Sequence, residues 1–140
     1  MNRAVLADAG PLVALLDRRD RYHAWAVEQL SQLRPPFHTC EAVIGETFHL
    51  LRRLPDARTA ILEMTAEGVL TTPFALSEQS REVLALVQRY ANVPMSLADA
   101  CLVRMSELVP KCVVFTLDRD FRIYRRHKRE KIPLLIAPAV

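Results

Sequence analysis

The chain has 140 residues, 51% of them hydrophobic and 25% charged, with a formal net charge of +3 and a pI near 9.0. That is the size of one ordinary domain with enough apolar side chains for a real core, so a single domain over residues 1–140 is expected. No apolar run approaches the ~20 residues of a membrane span, and no signal-peptide pattern opens the chain. Cys40, Cys101 and Cys112 lack CxxC spacing. They read as buried thiols in a reducing compartment, with cytoplasmic location expected, and not as a disulfide frame or zinc site.

Ala4 to Ala7 is an all-apolar run that reaches Asp8, and Ala9-Gly10-Pro11 breaks it. Such a run suits a strand buried on both faces. Gly10 is expected to permit a tight strand-to-helix turn, and Pro11 fits the first turn of a helix, where its missing N–H costs nothing. Asp8 then lies at the carboxyl end of a central parallel strand, where open α/β sheets place their sites. It can be a helix cap, an ion-pair partner or a metal ligand.

The first helix is expected to end near Asp17-Arg18-Arg19. Asp20 then reads as the cap of a helix running to about Leu33, with His23 reaching back to it. Pro35-Pro36 ends that helix and introduces a short strand at Phe37–Thr39. Thr39 can cap the next helix, Cys40 to about Arg53, whose apolar face includes Val43, Ile44, Phe48 and Leu51. Glu46 borders that stripe, and His49 lies one turn beyond it. A helix from Pro55 to about Glu67 stops at Gly68. A short strand at Val69–Thr72 follows, then a helix capped by Ser77 and running to about Tyr90.

Ser96-Leu-Ala-Asp99 is a capping-box pattern before the apolar helix from Ala100 to Leu108. Cys112–Thr116 is the strongest buried-strand candidate, and it runs into Leu117-Asp118-Arg119-Asp120-Phe121. Seven basic residues crowd Arg119 to Lys131 against two acids, which reads as a solvated helix face unless polyanion chemistry lies beside it. Ile132–Ile136 adds a last strand, with Pro133 favouring its start or a sheet edge. The order β, α, α, β, α, α, β, α, α, β, α, β argues for a parallel sheet with helices on both faces.

Two strand ends thus carry Asp8 and Asp118, and two helices carry Glu46 and Asp99. If the two strands are neighbours, the four carboxylates share a cleft, repel one another, and call for a cation. Mg²⁺ or Mn²⁺ suits oxygen ligands and keeps its waters, and the well-known use of such a cluster is hydrolysis of a phosphodiester.

The spacing of Asp8-Ala-Gly-Pro-Leu, Asp20-x-x-His23, Glu46-x-x-x-Leu50-Leu51, Leu97-Ala-Asp99-Ala and Thr116-x-Asp118-x-Asp120-Phe121 resembles the PIN domain family over nearly the whole chain. The resemblance implies a three-layer α/β/α sandwich with a central, mainly parallel sheet of four to five strands. It also implies a Mg²⁺- or Mn²⁺-dependent endoribonuclease. The family's four acids fall on Asp8, Glu46, Asp99 and Asp118. Thr116 matches its site-lining hydroxyl, and Asp120 a second aspartate that supports the site or caps the next helix. Ala9 departs from the pattern, since many relatives carry Ser or Thr there, but it removes no charge.

With those four acids neutralised, the remaining acids fall from 16 to 12 against 19 basic residues, which favours a phosphate-rich partner. Arg119 and Arg122 are expected to help hold RNA, a tRNA or another structured molecule. A bare domain of this length resembles the toxins of bacterial VapBC-type toxin–antitoxin pairs. That likeness implies a homodimer and a cognate antitoxin, and helical spacing offers Leu12, Leu16, Tyr22 and Trp25 as exposed apolar contacts for it. A catalytically silent RNA- or protein-binding module is the alternative, and retention of all four acids counts against it. A phosphoacceptor built on Asp8 ranks lower, because Gly10 occupies the place of its second acid and no lysine falls at a strand end.

Overall fold

Four apolar residues in a row, Ala4–Ala7, form β1 at the centre of the sheet in the computed structural model, which describes residues 3–140. The chain continues through α1 (Ala9–Leu16), α2 (His23–Ser31), β2 (Phe37–His38), α3 (Glu41–Leu50), α4 (Pro55–Ala66) and β3 (Leu70–Thr71). It returns through α5 (Leu76–Arg89), α6 (Leu97–Leu108) and β4 (Cys112–Thr116). A 3₁₀ turn (Arg119–Arg122), β5 (Arg125–Arg126), β6 (Glu130–Lys131) and β7 (Leu134–Ile136) complete it.

Five strands pair in the order β3-β2-β1-β4-β7, each neighbouring pair parallel. From β1 the chain steps outward through β2 to β3, then crosses back to β4 on the other side of β1. Right-handed crossovers therefore put α1–α4 on one face of the sheet and α5–α6 on the other. The direction of winding reverses between β1 and β4, which leaves an open crevice beyond their carboxyl ends. Leu6, Val114 and Phe115 of these strands are buried, packed with Leu102 and Val103 of α6 and with Leu12, Val43 and Ile61 from the other layer. Cys40, Cys101 and Cys112 are free and buried, as their spacing indicates.

Several local expectations are corrected. The helix expected after β4 is a single 3₁₀ turn followed by a two-stranded antiparallel ribbon, β5–β6. Arg126 explains why. Its guanidinium is buried and donates to the carbonyls of Ser106 (3.0 Å) and Pro110 (3.2 Å), with Glu130 as its ion-pair partner. It thus serves carbonyls at the carboxyl end of α6, a place that favours cations. A continuous helix would spread the run's charges over one solvated face instead.

Thr39 does not cap α3; its hydroxyl donates to the Ala7 carbonyl (2.7 Å) and ties β2 to β1, while Cys40 takes the cap position. The His23 side chain does not reach Asp20: only its backbone N–H bonds the Asp20 carbonyl (3.0 Å), and the Asp20 side chain accepts from the Tyr22 N–H (2.9 Å). The His23 ring instead meets the Ala14 carbonyl at 2.7 Å, joining α2 to α1. Ser77 lies inside α5, which starts at Leu76 without a side-chain cap. Gly10 serves a close approach and not a special backbone angle: a Cβ there would sit a tight 3.2 Å from that of Leu117. Leu12 is no surface residue, at 2% exposure, and Leu16, Tyr22 and Trp25 are half-buried against the core, with Trp25 on Phe115. Among the described residues no helix is long and apolar enough to cross a membrane.

The central strand carries the fold's packing. Leu6→Ala is expected to lower the unfolding free energy by about 2–5 kcal/mol, read from the urea midpoint at unchanged slope.

Candidate active site

Asp8 begins the site by its position. It follows the last residue of β1, its backbone is extended, and its Oδ1 caps α1 by accepting the Ala9 N–H at 2.8 Å. The neighbouring strand ends on Thr116, whose hydroxyl donates to Asp8 Oδ2 at 2.7 Å and accepts the Asp118 N–H at 3.0 Å. One buried hydroxyl thereby links the acids of two strand ends. Asp118 in turn caps the 3₁₀ turn through the Asp120 N–H (2.9 Å).

Asp99 comes from the opposite layer. The Ser96 capping box is formed: Ser96 Oγ accepts the Asp99 N–H (3.0 Å) and Asp99 Oδ2 accepts the Ser96 N–H (3.3 Å). The same Oδ2 accepts the Tyr124 hydroxyl at 3.0 Å. Asp99 is therefore both the expected cap and a site-lining acid, and its other oxygen faces away from these bonds.

Asp8, Glu46, Asp99 and Asp118 line one cleft of about 520 Å³, with Tyr22 and Arg119 at its walls. Asp120 and Arg122 do not line it. Asp120 serves the turn through its backbone, and Arg122 reaches the Val140 carbonyl (2.6 Å) beside the cleft. His49 is exposed near Arg52 and takes no part.

The electrostatics follow from burial. Asp8 is only 6% exposed, and its carboxyl is pushed up to about 7. Loss of hydration is the main cause; the bonds from Thr116 and Ala9 oppose it, and the charges of Asp99 and Glu46 add to it. Asp99 and Glu46 are raised as well, again by burial first, with Asp118 adding to both. Burial also raises the Tyr124 phenol, helped by Asp99, so it stays a proton donor to that carboxylate.

Among the described residues no three acidic, histidine or cysteine side chains converge tightly enough to hold an ion as they stand. The donor set still fits a hard divalent cation in kind. All its ligands are oxygens, the cleft is open to water, and Mg²⁺ typically takes one or two carboxylates while keeping several waters. A cation would also relieve the charge that burial penalises at Asp8.

Sequence reasoning missed Tyr124. The signal was the pair Phe121 and Tyr124, three residues apart in a stretch otherwise dominated by arginines; the two rings pack edge-on at 5.2 Å.

A family model for the PIN domain matches residues 5–126. The chain belongs to the PIN domain family. Its fold is similar to that of VapC20 of Mycobacterium tuberculosis, described as a toxin that cleaves the sarcin-ricin loop, with a TM-score of 0.77 and 22% sequence identity. The likeness covers 91% of this chain and 99% of that one. A search of curated sequences finds no match. In this PIN domain the cleft lies where the two central strands and the two helix layers meet.

The raised Asp8 carboxyl has a consequence for stability. The folded state keeps a proton there that the unfolded chain releases near the ordinary value of 3.8, so stability falls as pH rises from about 4 to about 7 and then levels. In EDTA the melting temperature is expected to fall over that window, and Asp8→Asn to flatten the fall.

Proposed function

We propose that the protein is a Mg²⁺- or Mn²⁺-dependent endoribonuclease that hydrolyses RNA phosphodiester bonds in this cleft. The observation that carries the reading is the meeting of four carboxylates from four elements at the point where the strand order reverses. Asp8, Glu46, Asp99 and Asp118 would hold the cation. When bound, it would neutralise the acids, polarise a phosphoryl oxygen and favour ionisation of the attacking water.

The chain's own groups do the positioning. Thr116 and the Ala9 N–H fix both oxygens of Asp8, and each oxygen keeps a free lone pair. Ser96 and Tyr124 fix Asp99 from the opposite layer. Asp120 supports the site indirectly, since its N–H orients Asp118. Arg119 stands exposed at the cleft wall, suited to a phosphate of the bound strand, and Arg122 follows it on the same turn.

The reading extends to a role as the toxin of a toxin–antitoxin pair, acting in the cytoplasm on a tRNA or other structured RNA. Likeness to a toxin that cleaves an RNA loop supports this extension. The cognate antitoxin and a homodimer belong to the same proposal. Exposed Leu50, which lines the cleft beside Leu117, offers an apolar contact to an inhibitory segment.

The test is cleavage of a defined tRNA pool by purified protein in Mg²⁺, Mn²⁺ or EDTA. Cleavage is expected only with metal. Thr116→Val and Tyr124→Phe should lose roughly 10–100-fold, as partners of ligands usually do, and Asp8→Asn and Asp99→Asn more than that. Cleavage that persists in EDTA or in both Asn variants would refute the reading.

A further inference from the structure

We propose that the β5–β6 ribbon and the hollow beside it form a phosphate-binding track that holds the RNA strand outside the cleft. The proposal takes the polymer's identity from the nuclease reading, while the track itself rests on geometry and charge. Arg122, Arg125 and Lys131 line a hollow of about 280 Å³, whose remaining walls are Phe121, Ile132 and Leu134. Cations on an apolar wall suit a nucleotide, which joins an anion to an organic body.

The ribbon alternates as a strand must. Arg126 points inward to its carbonyls and Glu130, anchoring the ribbon on α6. Arg125 and Lys131 are directly opposed across the two strands, a like-charge pairing that destabilises unless an anion lies nearby. Among the described residues the ion pairs are Arg104–Glu107 and Arg126–Glu130, so no Asp or Glu side chain pairs with Arg125 or Lys131, while Arg122 is held by the main-chain oxygen of Val140. Arg125 is already held in place: its Nη1 donates to the carbonyls of Arg122, Ile123 and Tyr124 at 2.7–3.2 Å. A fixed guanidinium loses little freedom when it binds phosphate.

The tip adds to the pattern. His127 and Lys128 have φ of 49° and 70°, the left-handed region where Gly or Asn is usual. The His127 N–H is pinned by Glu107 Oε2 at 2.8 Å. Lys128 and Arg129 are thus presented to solvent at a defined place. The track joins the cleft at one point: Arg122 lines the hollow and bonds Val140, and Val140 lines the cleft with Arg119. A strand seated at the acids can continue past Arg119 and Arg122 to the ribbon.

Fluorescence anisotropy with labelled single-stranded RNA in EDTA, over a series of KCl concentrations, tests the track. Lys128→Ala/Lys131→Ala alters two exposed side chains, and its folding is checked by melting temperature. The matched control is Arg81→Ala/Arg89→Ala on the exposed face of α5. The ribbon variant should bind a long oligonucleotide more weakly, with its salt slope reduced by about 0.7 per contact removed, while the control matches wild type. An unchanged slope, as expected if the ribbon serves an acidic protein segment instead, would overturn the track. So would an equal loss in the control. Parallel cleavage in Mg²⁺ separates the two proposals: cleavage with an unchanged slope removes the track alone, and a ribbon-dependent slope without cleavage removes the nuclease alone.

Discussion

The site depends on the burial of a carboxyl group, Asp8, among other acids. Burial alone would keep it protonated, and the chain spends a strand end, a helix N-terminus and a buried hydroxyl on fixing it in place. The bonds from Ala9 and Thr116 favour the charged form, yet they do not offset lost hydration and the fields of Asp99 and Glu46. In the proposed nuclease a group raised in this way would give up its proton when a cation binds. Glu46 and Asp99 are raised in the same direction, again by burial first.

The fold supplies the convergence. Parallel strands with right-handed crossovers can wind outward in two directions only by leaving a gap where the direction changes. Here that gap lies between β1 and β4, so Asp8 and Asp118 meet across adjacent strands with Thr116 between them. The helix layers bring Glu46 from one side and Asp99 from the other. Past the gap, the chain turns at once into the arginine-rich 3₁₀ turn and ribbon, so acid and base regions are contiguous in sequence and in space.

Much of this was legible in the residues. The run Ala4–Ala7 is apolar throughout and Cys112–Thr116 is apolar up to its last residue, as suits strands buried on both faces, and both strands have those bounds. The capping box at Ser96–Asp99 is a local interaction and formed as read. What escaped depended on partners distant in sequence. Thr39 and His23 satisfy carbonyls of β1 and α1, which no local pattern announces. The stretch after Asp118 has helix-like spacing of charges, but burial of Arg126 against the end of α6 and the left-handed turn at His127 and Lys128 make it a ribbon. Leu12 shows the same limit from the other side: a helical face inferred to be open is covered by the core.

The central proposal is that Asp8, Glu46, Asp99 and Asp118, which line one cleft, together take a divalent cation. Titration of Mn²⁺ into the protein at pH 7, followed by electron paramagnetic resonance with simultaneous measurement of proton release, addresses it directly. The account predicts saturable binding accompanied by release of protons, with both diminished in Asp8→Asn because that group holds the displaced proton. Absence of saturable binding, or binding and proton release unchanged in Asp8→Asn, would contradict it.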